Sequence, residues 1–215
     1  DGVRLHLTEP RDPPDDKPLS FEAPIAVEIR AFELRDGVVS RHGEALVDIK
    51  SAHLQAVWSG DTLAIQRLDL DARQGEVQLA GSVAGAKPYR GQLRGNFVWR
   101  QADQPWAGSL SADAAGAQVA AVVRLQRPIV ANLRTTLGQD DELPWQMLLD
   151  IPPTDPRGLL LADSSTVRKL GAALRGSGTL SGGQVSGYID LNAERLHIER
   201  LQVNPGDPAT RIDGL

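Results

Sequence analysis

The chain has no cysteine among its 215 residues. That excludes a disulfide framework and thiolate metal sites, and it leaves the compartment open, because many periplasmic proteins also lack cysteine. Aromatic residues make up only 4%, little for a compact sandwich core. Positive charge is not in excess either: 23 Lys and Arg against 28 Asp and Glu leave a net charge of −5. This argues against nucleic acid, whose phosphates need a basic face. No apolar run is long enough to span a bilayer, and no signal peptide is recognisable. A hydrophobic content of 41% with 24% charged residues still makes the chain globular, not disordered. It opens inside an alternating stretch, DGVRLHLT, and stops partway through a repeat element at TRIDGL. It therefore reads as a piece of a longer protein, with any membrane anchor outside it.

What the chain has in abundance is alternation. Residues 63–81 (LAIQRLDLDARQGEVQLAG) and 196–214 (LHIERLQVNPGDPATRIDG) align without a gap. Leu63, Ile65, Arg67, Leu68 and Gly81 recur as Leu196, Ile198, Arg200, Leu201 and Gly214. Each copy reads as two strands, and a chain of near-equivalent hairpins is quasi-one-dimensional: each unit buries its apolar side only with its neighbours. Such proteins work through a long surface more than through one pocket. Parity switches inside each copy, between Ile65 and Leu68 and between Ile198 and Leu201, and again between Ile29 and Phe32. A switch at the same place in each unit suggests a bulge or a bend in the strand, and a bend repeated this way would curve a whole sheet.

Further alternating runs predict strands around Val47, Leu54, Val77, Leu93, Leu110, Val123, Leu133 and Leu149. Turn signals separate them at Asp36-Gly37, Ser59-Gly60-Asp61, Gln74-Gly75, Gly85-Ala86-Lys87-Pro88, Gly138-Gln139-Asp140 and Gly182-Gly183. Two stretches break the pattern. Residues 9–20 (EPRDPPDDKPLS) predict an exposed excursion. Residues 152–175 begin PPTDPRG and then carry Leu159, Leu160, Val167, Leu170 and Leu174, with Ser164 or Ser165 placed to cap a short helix over 165–175. The expected architecture is all-β: a strongly curved antiparallel repeat sheet over 1–151, a loop and one short helix over 152–175 with the hinge in 152–165, and continuing strands over 176–215.

Groupings with chemical potential dissolve on inspection. His6, His42, His53 and His197 are dispersed, with no HxH or HExxH spacing, and read as surface residues. Asp69, Asp71 and Gly75 imitate part of a calcium loop, but Arg73 stands where an oxygen ligand belongs. The glycines from Gly176 to Gly183 precede a strand and offer no helix N-terminus to a phosphate. Ser164 and Ser165 have no nearby histidine, and the acidic clusters at 12–16 and 140–142 read as solvated loops. The expectation is a non-enzyme with no metal and no cofactor. Trp58, Trp99, Trp106 and Trp145 each fall in an apolar row, as core packing or, for some, as the lining of a groove.

A magnitude frames the choice between core and groove. About ten strands, each with two to four inward apolar residues, would leave an uncovered patch above about 1,000 Å², whereas the largest patch on an ordinary monomer is roughly 300–600 Å². The face must therefore fold against itself as a sandwich or wrap into a trough that holds something apolar. Small inward residues (Gly91, Gly95, Gly108, Ala121 and Ala131) and the low aromatic content favour the trough.

The segments AFELRDGVVS, LQAVWSGDTLAIQRLDLDARQGEVQLAGSV, LPWQMLLDIP, LRGSGTLSGG and YIDLNAERLHIERLQV resemble the AsmA-like superfamily, and within it the TamB family. The shared cue is an L-x-I-x-x-L-x-L strand, a turn with glycine, and a strand ending in L-x-G; it covers almost the whole chain except residues 9–20. The resemblance implies a β-taco, a long curved sheet with an apolar lumen, in a periplasmic protein anchored in the inner membrane of a Gram-negative bacterium. It also implies phospholipid movement between inner and outer membranes, and work with the outer-membrane barrel protein TamA through regions outside this stretch. Under that reading the groove is lined by Ile25, Val27, Ile29, Leu54, Leu63, Ile65, Leu68, Leu70, Val77, Leu79, Leu93, Phe97, Leu110, Val119, Val123, Leu133, Leu149, Leu191 and Leu201. Two other functions fit the alternation: a scaffold that offers sheet edges to nascent outer-membrane strands, and a secreted solenoid or adhesin with a dry core.

Overall fold

The computed structural model describes residues 4–7, 23–41, 44–101, 104–156 and 167–203. Among these residues every extended regular element is a β-strand. They divide into two compact units that meet between Trp106 and Ala107. The first contains β1 (Arg4–Leu7), β2 (Ala23–Arg41), β3 (Glu44–Gly60), β4 (Thr62–Ala72), β5 (Gly75–Ala84) and β6 (Gly91–Gln101). The second begins within β7 (Gln104–Ala115) and continues through β8 (Gln118–Arg127), β9 (Ala131–Gly138), β10 (Trp145–Thr154), β11 (Leu170–Thr179), β12 (Gly182–Leu191) and β13 (Glu194–Val203). Within each unit every strand lies beside the next in sequence, antiparallel except that β1 runs parallel to β2. Within each unit the all-β, curled sheet expected from the sequence is what forms.

The bends fall where parity switches. In β4, Ile65 opposes Gly81 and Leu68 opposes Leu79, so one residue too many lies at Gln66 and Arg67. In β13, Ile198 opposes Gly187 and Leu201 opposes Val185, which puts the surplus at Glu199 and Arg200, the matching place in the repeat. In β2, Ile29 opposes Ala56 and Phe32 opposes Leu54. A bulge tightens the local twist and bends its strand, and the partner strand must yield at the same level. Gly81 answers with φ +149 and a bare Cα, since a Cβ there would stand 2.0 Å from the carbonyl oxygen of Gln92. Gly187 does the same opposite β13, with φ +141 and the Ala173 carbonyl 2.1 Å from where a Cβ would be. Ala56 sits in register with both Ile29 and Ile65, between two bulged strands, and is 1% exposed.

Two local expectations are corrected. The helix over 165–175 does not form where it can be judged, because Leu170–Thr179 is strand β11, laddered to β10 and β12. Leu170 and Leu174 are four apart, a spacing that shares a face in a helix and in a strand alike, so the two flanking ladders decide it. Ser164 and Ser165, with Leu159 and Leu160, lie outside the described residues, as does the 9–20 excursion. Asp36-Gly37 is not a hairpin turn. β2 runs straight through it, with Asp36 at φ 55, and the hairpin closes later, where Arg41 opposes Glu44. β3 is accordingly one strand of 17 residues where two had been read.

Full burial is scarce. The buried apolar residues among those described are Ala23, Ala56, Ala72, Ala107, Ala131, Ala172, Ile129, Val185 and Pro156, six of them alanines. Large apolar side chains are half-covered or, as at Phe32, Trp99 and Leu148, exposed.

Candidate functional site

Directly opposed residues share a face of a sheet, so the registers translate into rows running across the strands. In the first unit Val27, Trp58, Leu63 and Val83 form one row, and Ile29, Ala56, Ile65, Gly81 and Leu93 the next. Beyond the bulge come Phe32, Leu54, Leu68, Leu79 and Gly95, then Leu34, Ala52, Leu70, Val77 and Phe97. Without the extra residue in β2 and in β4, everything past the bulge would turn to the opposite face.

The second unit repeats the arrangement. Leu110, Val123, Leu133, Leu149, Leu174, Gly187 and Ile198 form a row across β7 to β13. Ala112, Ala121, Thr135, Met147, Gly176, Val185 and Leu201 form its neighbour. A third joins Ala114, Val119, Leu137, Trp145, Gly178, Gly183 and Val203. Every residue of the expected lining falls in such a row except Ile25, which is 71% exposed in the irregular pairing between Ala23 and Val27. Leu191 stands at a row's end, level with Leu170 and opposite Glu194. Phe32, Leu34, Val83, Leu125, Ile151, Leu174 and Ile189 share this face without having been singled out from the sequence. Their parity was the available signal.

The apolar face is the sheltered one. Along β5, Val77, Leu79 and Val83 are half-buried while Glu76, Gln78 and Ala80 are exposed. No second layer covers these side chains among the described residues, so their shelter comes from neighbours in the same sheet.

The opposite face is polar and laced with ion pairs. Arg67 bonds Asp69, and Arg100 bonds Glu76. Arg73 reaches Asp48 at 2.7 Å, and Arg30 reaches Glu28 at 3.3 Å. The two aspartates that imitate a calcium loop are thus held by cations: Asp71 has Lys50 at 3.8 Å and Arg100 at 3.7 Å. On the same face of the second unit, Asp190 accepts from Arg195 at 2.6 and 2.9 Å, and the guanidinium carbon lies 3.9 Å from the Tyr188 ring centroid. That hydrogen bond holds the Asp190 carboxyl below its usual range and raises Arg195. Open depressions of about 420 and 600 Å³ also lie on the polar face, around His53 with Asp69 and around Gln146 with Arg175. Both are open and bounded by charged groups, although Met147, Leu148 and Val185 also line the second. The apolar rows are therefore the better candidate, since they run on from strand to strand. Among the described residues no group of His, Asp and Glu could hold a metal ion.

Compared with known proteins, residues 12–155, two thirds of the chain, match the family model described as TamB, N-terminal domain. No curated protein and no solved structure matches the chain.

Proposed function

The chain belongs to the TamB N-terminal domain family, a family of non-enzymatic transport and assembly proteins of the Gram-negative envelope, and from that premise we propose that its apolar face carries phospholipid acyl chains across the periplasm between the inner and outer membranes. The observation that supports this reading is the continuity of the rows. Strands stand about 4.8 Å apart, so a row crossing seven strands runs roughly 29 Å, close to the full hydrocarbon thickness of a bilayer. An acyl chain spanning one leaflet is about half as long. It keeps unbroken apolar contact wherever along the row it lies.

Leaving a bilayer costs about 0.8 kcal/mol for each methylene exposed to water. A trough of comparable apolarity offsets that cost at every position, so sliding proceeds in small free-energy steps. No residue has to be chemically special. The head group stays in water beside a net acidic protein that does not grip anionic lipid. TamA, the partner with which the family works, would receive the outer end of the path.

The test is photocrosslinking in cells, with the probe at Ile65 or Leu79 and, for comparison, at Gln66 or Gln78. Phospholipid adducts at the first pair only are expected. Adducts at neither pair, with the protein folded, remove lipid from this segment.

One observation favours the scaffold alternative. Among the described residues β1 pairs only with Val38–Arg41 of β2, and Pro24 to Glu33 are exposed apart from a half-buried Ile29. Protein adducts from that edge, without lipid adducts from the rows, would favour strand addition.

A further inference from the structure

Trp145 opens β10 on the apolar face, level with Leu137 on one side and Gly178 on the other. Side chains on a strand ordinarily stand away from the sheet. This one lies down. Its indole N–H donates to the carbonyl of Thr179, at the end of the adjacent strand, at 3.0 Å. The ring then extends over β11 onto β12, received by Gly176 and Gly178 on the first and Gly183 on the second. A Cβ at Gly183 would stand 2.3 Å from Cζ2 of the ring, one at Gly178 2.9 Å from the same atom, and one at Gly176 3.0 Å from Cζ3. Gly183 is the clearest of the three. Its φ lies outside the left-handed region, the atom nearest to its missing Cβ belongs to the ring, and the Ser177 carbonyl oxygen comes next at 2.8 Å. The φ there does not ask for a glycine; the recumbent indole does first, and the Ser177 carbonyl adds to it.

Facing apolar layers pack about 10 Å apart. In a trough of that width an indole standing upright would take more than half of the clearance, whereas one pressed onto the backbone takes only its thickness. We infer that the recess formed by Gly176, Gly178 and Gly183 holds the Trp145 ring flat so that the apolar path stays open along its row. Trp145 and Gly183 are then positioning residues for passage. This rests on the conduit reading, and it assigns Gly183 first to clearance of the ring; Gly178 is bare also because the Gly182 carbonyl oxygen would stand 2.3 Å from a Cβ there.

The first measurement is on the whole protein as expressed in cells, with a photoreactive residue at Val203, beyond the recess in the same row. The wild type should give phospholipid adducts there. Gly183→Ala should abolish them, and Gly183→Ala combined with Trp145→Ala should restore them, because removing the ring removes the obstacle. In parallel, purified protein labelled with fluorotryptophan reports the ring directly, the Trp145 signal being identified by Trp145→Phe. That signal should move toward its solvent-exposed position in Gly183→Ala.

A moved ring with unchanged adducts overturns the inference and leaves the conduit standing. So does a ring that does not move, or a double variant that stays blocked while remaining folded. Lack of lipid adducts in the wild type, at Val203 as at Ile65, takes down the conduit and this inference together.

Discussion

Leu79 and Gln78 are neighbours in β5, and they face opposite sides of one sheet. Leu79 stands between Leu68 and Gly95 in a row of half-buried apolar side chains. Gln78 stands between Asp69 and Asn96, exposed, on a face where carboxylates and guanidinium groups pair across strands. On the apolar side the property that matters is collective, because any apolar side chain of similar size keeps the row continuous. On the polar side charges pair across a largely solvent-accessible surface, and exposed pairs contribute about 0–1 kcal/mol. The bends linking the rows are different again, since there a single bare Cα carries the geometry. One strand therefore holds three kinds of constraint: tolerant, nearly free, and strict.

Substitutions can break or sharpen that contrast. The largest effect is expected for a carboxylate on the inner face. Leu79→Asp should lower the unfolding free energy by about 2 kcal/mol or more, through lost apolar burial and a poorly solvated charge. Ala80→Asp, exposed and opposite Arg94, should stay within about 0.5 kcal/mol. Urea unfolding of both would show it, and equal effects would mean that the two faces do not differ. Next comes Gly81→Ala, expected to cost about 1–3 kcal/mol because φ +149 and the Gln92 carbonyl both oppose a side chain. Gly116→Ala, at φ +61 with nothing within 4 Å of a new Cβ, should cost less. A reversed order in thermal melts would remove the close backbone approach as the reason for the glycine.

Smaller still is Arg67→Gln, which removes an exposed partner of Asp69 and should change stability by less than about 1 kcal/mol; a larger loss would show that the outer network acts as a unit. The smallest effect concerns pH. The hydrogen bond from Arg195 lowers the Asp190 pKa in the folded state, so its contribution is present above the unfolded carboxyl's pKa of about 3.9. It is lost as pH falls through the lowered folded value. Arg195→Gln should move the Asp190 titration upward by NMR while leaving stability at neutral pH nearly unchanged. An unmoved titration would show that the pair is not populated in solution.

Much of this was legible in the order of residues. A strand has a side-chain period of two, so the switch between Ile65 and Leu68 revealed the bulge before any partner was known, and its recurrence at Ile198 and Leu201 placed the second. The expected positions were read from the same parity, which is why all but Ile25 fall in rows. Ile25 did not join them, because the pairing of β2 is irregular between Ala23 and Val27, and irregular pairing leaves no trace in a simple alternation.

The sequence by itself determined the period, the bends, the apolar side and the family, because each of these is carried by a residue and its near neighbours. The tertiary structure alone decided whether Leu170 and Leu174 would sit on a helix or a strand, and whether Asp36-Gly37 would turn the chain or let it pass. It also decided that Trp145 would lie across Gly178 and Gly183. Those outcomes depend on which ladders are available on either side and on what space a distant strand leaves open. Such partners lie tens of residues away, and a local pattern that satisfies two conformations equally cannot choose between them until they arrive.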